Sequence, residues 1–491
     1  MSRAIPDANL GIERDAILAS RAMRTGQRQH WSSPYAARRI HLIGIGGCGM
    51  AGLAGILLRC GANVSGSDRS DRAELRRLEE LGASVRIGQA PINIPSDCDL
   101  VVYSAAVKDD NPELMEAKRR GIERIKYAQM LGQVMRLRTG MAICGTHGKS
   151  TTTALLAYIL RQAKADPTFV VGAEVEQLGG GSGVGDGSHF VVEACEFDRS
   201  FLNLYPKYAA ILNIEEDHLD CFKDLNAITD AFRAFVALVP PEGAIIANSG
   251  DRAVHDATRH ARAPIETFGY DDHATWRASN VTHERGCYAF DVHYKGEFYL
   301  RAEMKSLPGR HQVMNGTAAT AMAHHGGIPR EAIIAALATF KGADRRLTPR
   351  GEVNGILLLD DYRHHPTEIQ VTLRAVREHY PDRRLWLVFQ PHQHSRTRFL
   401  LNDFARSFGQ ADHVLVPDIY FVRDSEAERE AISSRVLVEK VIANGGDALY
   451  LPSLPQIVDH ITTHARSGDI VLTMGAGDVW KIADDLARRL G

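Results

Sequence analysis

No segment of this 491-residue chain approaches the ~20 consecutive apolar residues that a membrane-spanning helix needs. A charge excess is missing too: 58 Lys and Arg face 60 Asp and Glu, a formal net charge of −2. No broad basic surface is offered to nucleic acid or to an anionic membrane, and neither is expected as a partner. Any polyanionic ligand must be held by local groups. The seven cysteines, at 48, 60, 98, 144, 195, 221 and 287, include no C-x-x-C pair, which argues against a disulfide framework or a cysteine zinc site. MSRAIPDANLGIERD lacks the apolar core of a secretory leader, and Asp7, Glu13 and Asp15 among the seven arginines of the first 39 residues weaken a transit-peptide reading. A cytoplasmic enzyme with a mobile N-terminal arm over residues 1–38 is expected. Short-period repeats and low-complexity tracts are also missing, apart from GGGSGVGDGS at 179–188, which reads as a flexible surface loop.

What is present is an ordinary globular composition, 44% hydrophobic and 24% charged. At roughly 100 to 200 residues per domain, the length predicts three domains. The first, 39–138, opens with RIHLIGIGGCGMAGLAGILLRCGANVSGSD, a buried strand, a glycine turn, a helix and a second strand ending at Asp68. SVRIG and DLVVYSAAV add strands. The second, 139–347, opens with MAICGTHGKSTTTALLAYIL, again strand, glycine turn and helix. HFVVEAC and YAAILNIEEDH are further strands, Asp224–Leu238 is an amphipathic helix, and about 265–302 predicts a small antiparallel addition. The third, 348–491, carries five strand signals in GILLLDDY, RLWLVFQP, HVLVPDIY, ALYLP and DIVLTMGAG. Strands alternating with helices predict parallel α/β sheets whose ligands sit at the carboxyl ends of the strands.

The motifs fall at those ends. Gly44, Gly46, Gly47 and Gly49 would bring backbone N–H groups and a helix N-terminus against a phosphate, with Asp68 placed to accept from a ribose hydroxyl. Close strand–helix packing, a dinucleotide enzyme and a sugar-nucleotide binder all remain open for this motif. Gly145-Thr-His-Gly-Lys-Ser150 is stronger, because it supplies a phosphate cradle, the Lys149 ammonium and a Ser150 hydroxyl able to ligate Mg2+. It is a shortened Walker loop, with Ile143 where the full pattern has glycine. Glu193 and His218 end the next two strands and are candidate metal ligands. Asp360-Asp361-Tyr362-Arg363-His364-His365 and Gln390-Pro-His392-Gln-His-Ser-Arg396-Thr-Arg398 suit anionic groups. A zinc site among their four histidines is disfavoured by spacing and by the intervening arginines.

In fixed order, GIGGCGMAGLA, GTHGKST and DDYRHHPTE resemble the Mur ligase family of peptidoglycan synthesis. SGSD, KDDNPEL, SFLNL, NIEEDHLD, FQPH and MGAGD extend the likeness over about residues 39–491. The resemblance implies an α/β protein of three domains: an N-terminal Rossmann-like sheet for a UDP-sugar, a central P-loop ATPase-like domain and a C-terminal Rossmann-like domain that closes over both. It implies an ATP- and Mg2+-dependent ligase joining L-alanine to the carboxylate of UDP-N-acetylmuramate through an acyl phosphate, acting as monomer or homodimer. Implied catalytic residues are Lys149, His218, His364, His392 and Arg396. Gly145, Thr146, His147, Gly148, Lys149, Ser150, Thr151, His311, Asn315, Arg346 and Asp360 would bind ATP. Gly44, Gly46, Gly47, Gly49, Met50, Ser67, Asp68, Ser104 and Ala105 would bind the UDP-sugar, and Ser150, Glu193 and His218 the metal.

The chain departs from the family pattern at Gln312, where asparagine is usual, at Arg363, where a small residue is usual, and at Gln393, where arginine is usual. EACEFDRSF replaces the commoner EADESDASF. The guanidinium lost at 393 is expected to be supplied from 363. Three competing functions are weighed: a ligase attaching a whole murein tripeptide to the same nucleotide, an NAD-dependent oxidoreductase, which leaves Gly145–Ser150 without a task, and a non-catalytic ATP-binding switch.

Overall fold

The computed structural model describes residues 33–217 and 221–490; the expectations for His218 and for residues 1–32 of the N-terminal arm lie outside them. Strand β1 (Arg39–Ile43) is buried at every position after its first, so it needs cover on both faces. With β2 (Asn63–Asp68), β3 (Ser84–Ile87), β4 (Leu100–Tyr103) and β5 (Glu123–Lys126) it forms a parallel sheet of order β3-β2-β1-β4-β5. The chain leaves β1 to one side for β2 and returns on the other for β4, so the glycine turn after β1 opens into a crevice at the switch point.

The second sheet holds β6 (Thr139–Cys144), β7 (Thr168–Val170), β8 (Ser182–Gly183), β9 (His189–Glu193), β10 (Tyr208–Ile211), β11 (Ala244–Asn248), β12 (Ile265–Gly269), β13 (Trp276–Glu284), β14 (Cys287–Tyr294) and β15 (Glu297–Pro308). Their order is β15-β14-β13-β12-β11-β10-β6-β9-β7-β8. The antiparallel addition is therefore β13 to β15, while β12, expected within it, pairs parallel with β11. Helix Lys149–Gln162 is buried at every residue from Ser150 to Leu160. A helix with no wet face must be enclosed, and its neighbour is helix His311–His325, itself mostly buried. Asp224 caps helix Leu225–Val236 by accepting from Ala227 N.

The third sheet comprises β16 (Thr348–Val353), β17 (Ile356–Asp361), β18 (Leu385–Phe389), β19 (His413–Val416), β20 (Ala448–Tyr450) and β21 (Ile470–Met474), in the order β16-β17-β21-β18-β19-β20. Five of these strands match the sequence expectation. The sixth, β16, is an antiparallel edge strand whose half-exposed TPRGEV has no apolar run to announce it. Among the described residues no helix is long and apolar enough to cross a membrane.

The glycine-rich stretch 179–188 is built into the fold, contrary to the expectation of a loose loop. Its Ser182–Gly183 pair with β7, and a Cβ at Gly185 or Gly187 would lie 2.0 Å from Asp166 O or 1.8 Å from Ala165 O. The glycines are there because backbone passes backbone at contact distance.

Beneath the antiparallel addition, Glu266 of β12 accepts hydrogen bonds from Trp276 Nε1 at 2.7 Å and Tyr294 Oη at 3.1 Å, and pairs with His325 Nε2 at 3.0 Å. Burial alone would raise its pKa, but these donors outweigh it and hold the carboxyl at about 2, below its ordinary 4.5. A depressed pKa adds stability that is present above pH 4.5 and lost as pH falls through about 2. Glu266→Gln is therefore expected to cost up to about 3 kcal/mol at pH 7, read by denaturant melts, and to flatten the acid limb of stability between pH 4.5 and 2; an unchanged limb would contradict this assignment.

Candidate active site

The glycine turn after β1 is closed by its own acid. Gly44 has φ +80°, and Asp68, at the end of β2, accepts from Gly46 N at 2.9 Å and from Ser70 N at 3.2 Å. Both carboxylate oxygens are thereby engaged, and Asp68 shapes the turn. Ser67 is likewise reassigned. Its hydroxyl is fully buried and donates to Glu113 Oε2 at 2.6 Å, in a network with Asn93 and His41. Gly47 precedes helix Cys48–Arg59, Met50 is buried, and Gly49 sits against Tyr127, whose Oη would lie 2.7 Å from a Cβ there. Ala105, following Ser104 just beyond β4, lines a cavity of about 360 Å³ with Tyr103, Lys126, Gln129 and Asp198. An adjoining pocket of about 260 Å³ runs past Gly49 and Tyr127 to Glu193. The second cavity thus runs from the start of the helix after the first glycine turn to Glu193, which accepts from Ser150 of the second.

In that second turn Gly145 and Gly148 have φ +139° and +81°, and Asn213, just past β10, braces the loop between them. Asn213 O accepts from Thr146 N at 3.0 Å, its Oδ1 from His147 N at 2.7 Å, and its Nδ2 donates to His147 O at 3.1 Å. Lys149 Nζ lies 2.9 Å from Glu196 Oε1 and 3.0 Å from Thr146 O. Burial would lower its pKa, but Glu196 outweighs burial and keeps the ammonium charged. Ser150 Oγ donates to Glu193 Oε1 at 3.2 Å and accepts from Arg346 Nη2 at 3.2 Å, while Glu193 Oε2 takes Gly172 N at 2.7 Å. Thr151 is buried in the first turn of the helix. Asn213 and Glu196 were both missed in the sequence, although they lie inside quoted motifs.

On the facing sheet, Asp360 and Asp361 have no exposed surface. Asp360 is held by Arg345 Nε at 2.9 Å, Arg350 Nη2 at 3.5 Å and Thr473 Oγ1 at 2.8 Å, so it anchors the chain entering the sheet. Arg363 is paired with Asp361 Oδ2 and Thr372 Oγ1, both at 2.9 Å, and with His311 Nε2 at 3.3 Å. Gln393 is not among these partners, and its backbone N–H donates to Tyr420 O at 3.1 Å. Asn315 Nδ2 donates to Gln312 Oε1 at 3.0 Å, so Gln312 keeps the amide that asparagine would bring. His311 keeps a buried Nδ1 without a partner, and burial with the Arg363 charge holds it neutral, at about 3.

His364 and His392 face each other with ring centroids 5.7 Å apart. Arg396 reaches His392 Nδ1 at 3.3 Å and, across the domain boundary, Asp217 Oδ1 at 2.7 Å. Burial, then the Arg396 charge, holds His364 at about 3 and His392 at about 4, so both imidazoles are neutral. The same boundary carries a second ionic junction. His147 Nδ1 lies 3.3 Å from Glu368 Oε1 and its Nε2 3.4 Å from Glu215 Oε2, with the His365 ring 4.6 Å away. Burial lowers the His147 pKa, but Glu368 and Glu215 raise it further, to about 9, and Glu215 itself falls to about 2. Glu215, His365 and Glu368 had no assigned role in the sequence, because nothing in the spacing says that the phosphate loop would meet them.

The phosphate loop depends on glycine at 148. A Cβ there would sit 2.8 Å from Asn315 Oδ1 and 3.2 Å from Leu212 Cδ1, at a φ of +81° that L side chains avoid. Gly148→Ala is expected to lower stability by roughly 1–3 kcal/mol in denaturant melts; a neutral substitution would show that the loop is not held as described.

Three profiles match in sequence order: "Mur ligase family, catalytic domain" over 39–139, "Mur ligase middle domain" over 143–323 and "Mur ligase, glutamate ligase domain" over 345–477. UDP-N-acetylmuramate–L-alanine ligase of Caldanaerobacter subterraneus is 41% identical over 449 residues, 91% of this chain and 96% of that one. The protein of the same name from Acetivibrio thermocellus is 42% identical over 455 residues, 92% and 96% of the two chains. Among solved structures, UDP-N-acetylmuramate-alanine ligase from Thermotoga maritima has a TM-score of 0.76 at 26% identity, covering 92% of this chain and 98% of that one. A murein peptide ligase from Psychrobacter arcticus has a TM-score of 0.69 at 29% identity, covering 93% and 99%. The likeness runs through all three sheets, and the chain belongs to the Mur ligase family.

Proposed function

We propose that this chain is an ATP-dependent ligase that joins L-alanine to the carboxylate of UDP-N-acetylmuramate, releasing ADP and phosphate, in the cytoplasmic synthesis of peptidoglycan precursors. The observation that carries this reading is the junction, through His147–Glu368 and Arg396–Asp217, of a phosphate loop bearing Lys149 with the neutral His364–His392 pair, in a chain similar over its whole length to relatives named for that reaction. The domain limits that go with it are 39–138, 139–347 and 348–491.

Chemically, the muramate carboxylate attacks the γ-phosphorus of ATP, ADP leaves, and the amine of L-alanine attacks the resulting acyl phosphate and expels phosphate. The amide-lined turn at Gly145–Gly148 would cradle the phosphates, and Lys149, kept cationic by Glu196, would offset their charge. Ser150 and Glu193 place two hard oxygens 3.2 Å apart beside that loop, a donor set that fits Mg2+. When bound, Mg2+ supplies further neutralisation of phosphate charge. Arg346, 3.2 Å from Ser150 Oγ, would bring a guanidinium from the end of the central domain to the same phosphates. Arg396 would hold the reacting carboxylate, and the neutral imidazoles of His364 and His392 would give the incoming ammonium lone pairs in place of like charge. The cavities between Ala105, Gly49 and Glu193 offer the sugar nucleotide a path to this point.

Phosphate release with UDP-N-acetylmuramate and ATP, measured across L-alanine, glycine, L-serine and the murein tripeptide, tests this directly. L-alanine is expected to drive release, with Lys149→Ala reducing turnover at least ~10²-fold. Release with the tripeptide alone would favour the recycling ligase, and full activity in Lys149→Ala would favour a binding switch.

A further inference from the structure

His147, Glu215 and His365 come from three separate motifs, yet each presents a ligating atom within 4.8 Å of the other two. His147 Nε2 lies 3.4 Å and His365 Nδ1 3.9 Å from the same oxygen, Glu215 Oε2. What makes this more than proximity is the partner on the far side of each ring. His147 Nδ1 faces Glu368 Oε1 at 3.3 Å, and His365 Nε2 faces the Glu216 carbonyl at 3.1 Å. With N–H on those far nitrogens, both near nitrogens turn a lone pair toward Glu215. A carboxylate or carbonyl behind each imidazole is the arrangement that fixes tautomer and direction in protein metal sites. Thr367 Oγ1 donates to Glu215 Oε2 at 2.7 Å and orients the third ligand in the same way.

We propose that His147, Glu215 and His365 form a site for a borderline divalent transition-metal ion of the Zn2+ class, distinct from the oxygen donors of Ser150 and Glu193. Two imidazoles and one carboxylate suit such an ion, with a fourth position left for water. Metal–ligand bonds of about 2.0–2.1 Å in a tetrahedron put neighbouring donors roughly 3.4 Å apart. The His147–Glu215 separation already matches, and His365, 3.9 Å from Glu215 Oε2 and with its ligating atom within 4.8 Å of that of His147, has to swing toward both. That movement gives up only its 3.4 Å contact with Thr367 N. Binding displaces the proton that His147 otherwise carries toward Glu215. Since His147 and Glu215 follow strands of the central sheet and His365 follows β17, the ion would cross-link the phosphate loop to the C-terminal sheet.

The test is a titration of the full chain with Co2+, without nucleotide or Mg2+, read by the visible d–d absorption of four-coordinate Co2+ and followed by displacement with Zn2+. One equivalent per chain is expected, without thiolate charge-transfer bands. Affinity should fall at least ~10-fold in Glu215→Gln and in His365→Gln. It should stay unchanged in His464→Gln, which removes one ring of the surface pair His460–His464, stacked at 4.2 Å. Glu215 has 36% of its side chain exposed, so Gln there, which keeps the shape and removes only the charge, is the milder of the two changes and decides the matter where His365→Gln unfolds. No binding, thiolate bands, loss of binding in His464→Gln, or full affinity in Glu215→Gln would each overturn the proposal.

Discussion

The site depends on one buried cation, the His147 imidazolium, held between Glu215 of the central sheet and Glu368 of the C-terminal sheet. A buried charge is costly unless paired, and removing one partner of a buried pair costs about 3–5 kcal/mol. This pair therefore does more to select a geometry than to add stability. It ties the side chain of the phosphate loop to the helix that follows His364 and His365, while Asn213 ties the loop backbone to β10. Arg396 to Asp217 crosses the same boundary, and Arg346, in the segment that leads into β16, reaches Ser150. The phosphate loop and the segment carrying His364 are consequently joined through Glu368, although they belong to different sheets.

The near-neutral chain manages polyanions by such local devices. Cations come one at a time and each is already matched: Lys149 by Glu196, Arg396 by Asp217, Arg363 by Asp361. The guanidinium and the apolar surroundings keep His364 and His392 neutral, which separates the group that attracts a carboxylate from the groups that face an amine.

Much of this was legible in the sequence. The three sheets follow from apolar strands alternating with helical stretches, and the two glycine turns, Lys149, Ser150, Glu193 and Arg396 stand where strand ends of parallel sheets place them. Less legible was what an acid at a strand end does once it is inside. Asp68 and Asp360 sit at strand ends like ligand-binding residues, but folding brings Gly46 N to one and Arg345 to the other. Ser67 was claimed by Glu113, which lies 46 residues further along the chain. Linear spacing has no access to contacts of that length. It failed in the same way at the glycine-rich stretch, where the constraint comes from Ala165 and Asp166 passing alongside, and at His147–Glu368, which join across the domain boundary.

The most direct test of assembly across that boundary is a double-mutant cycle between His147→Gln and Glu368→Gln, read as the turnover of ATP-driven amide formation. Groups in contact at 3.3 Å should be coupled by about 1–3 kcal/mol, so the double variant should lose much less than the sum of the single losses. Additivity to within about 0.5 kcal/mol would mean that the phosphate loop and the C-terminal sheet act independently, and would contradict the account.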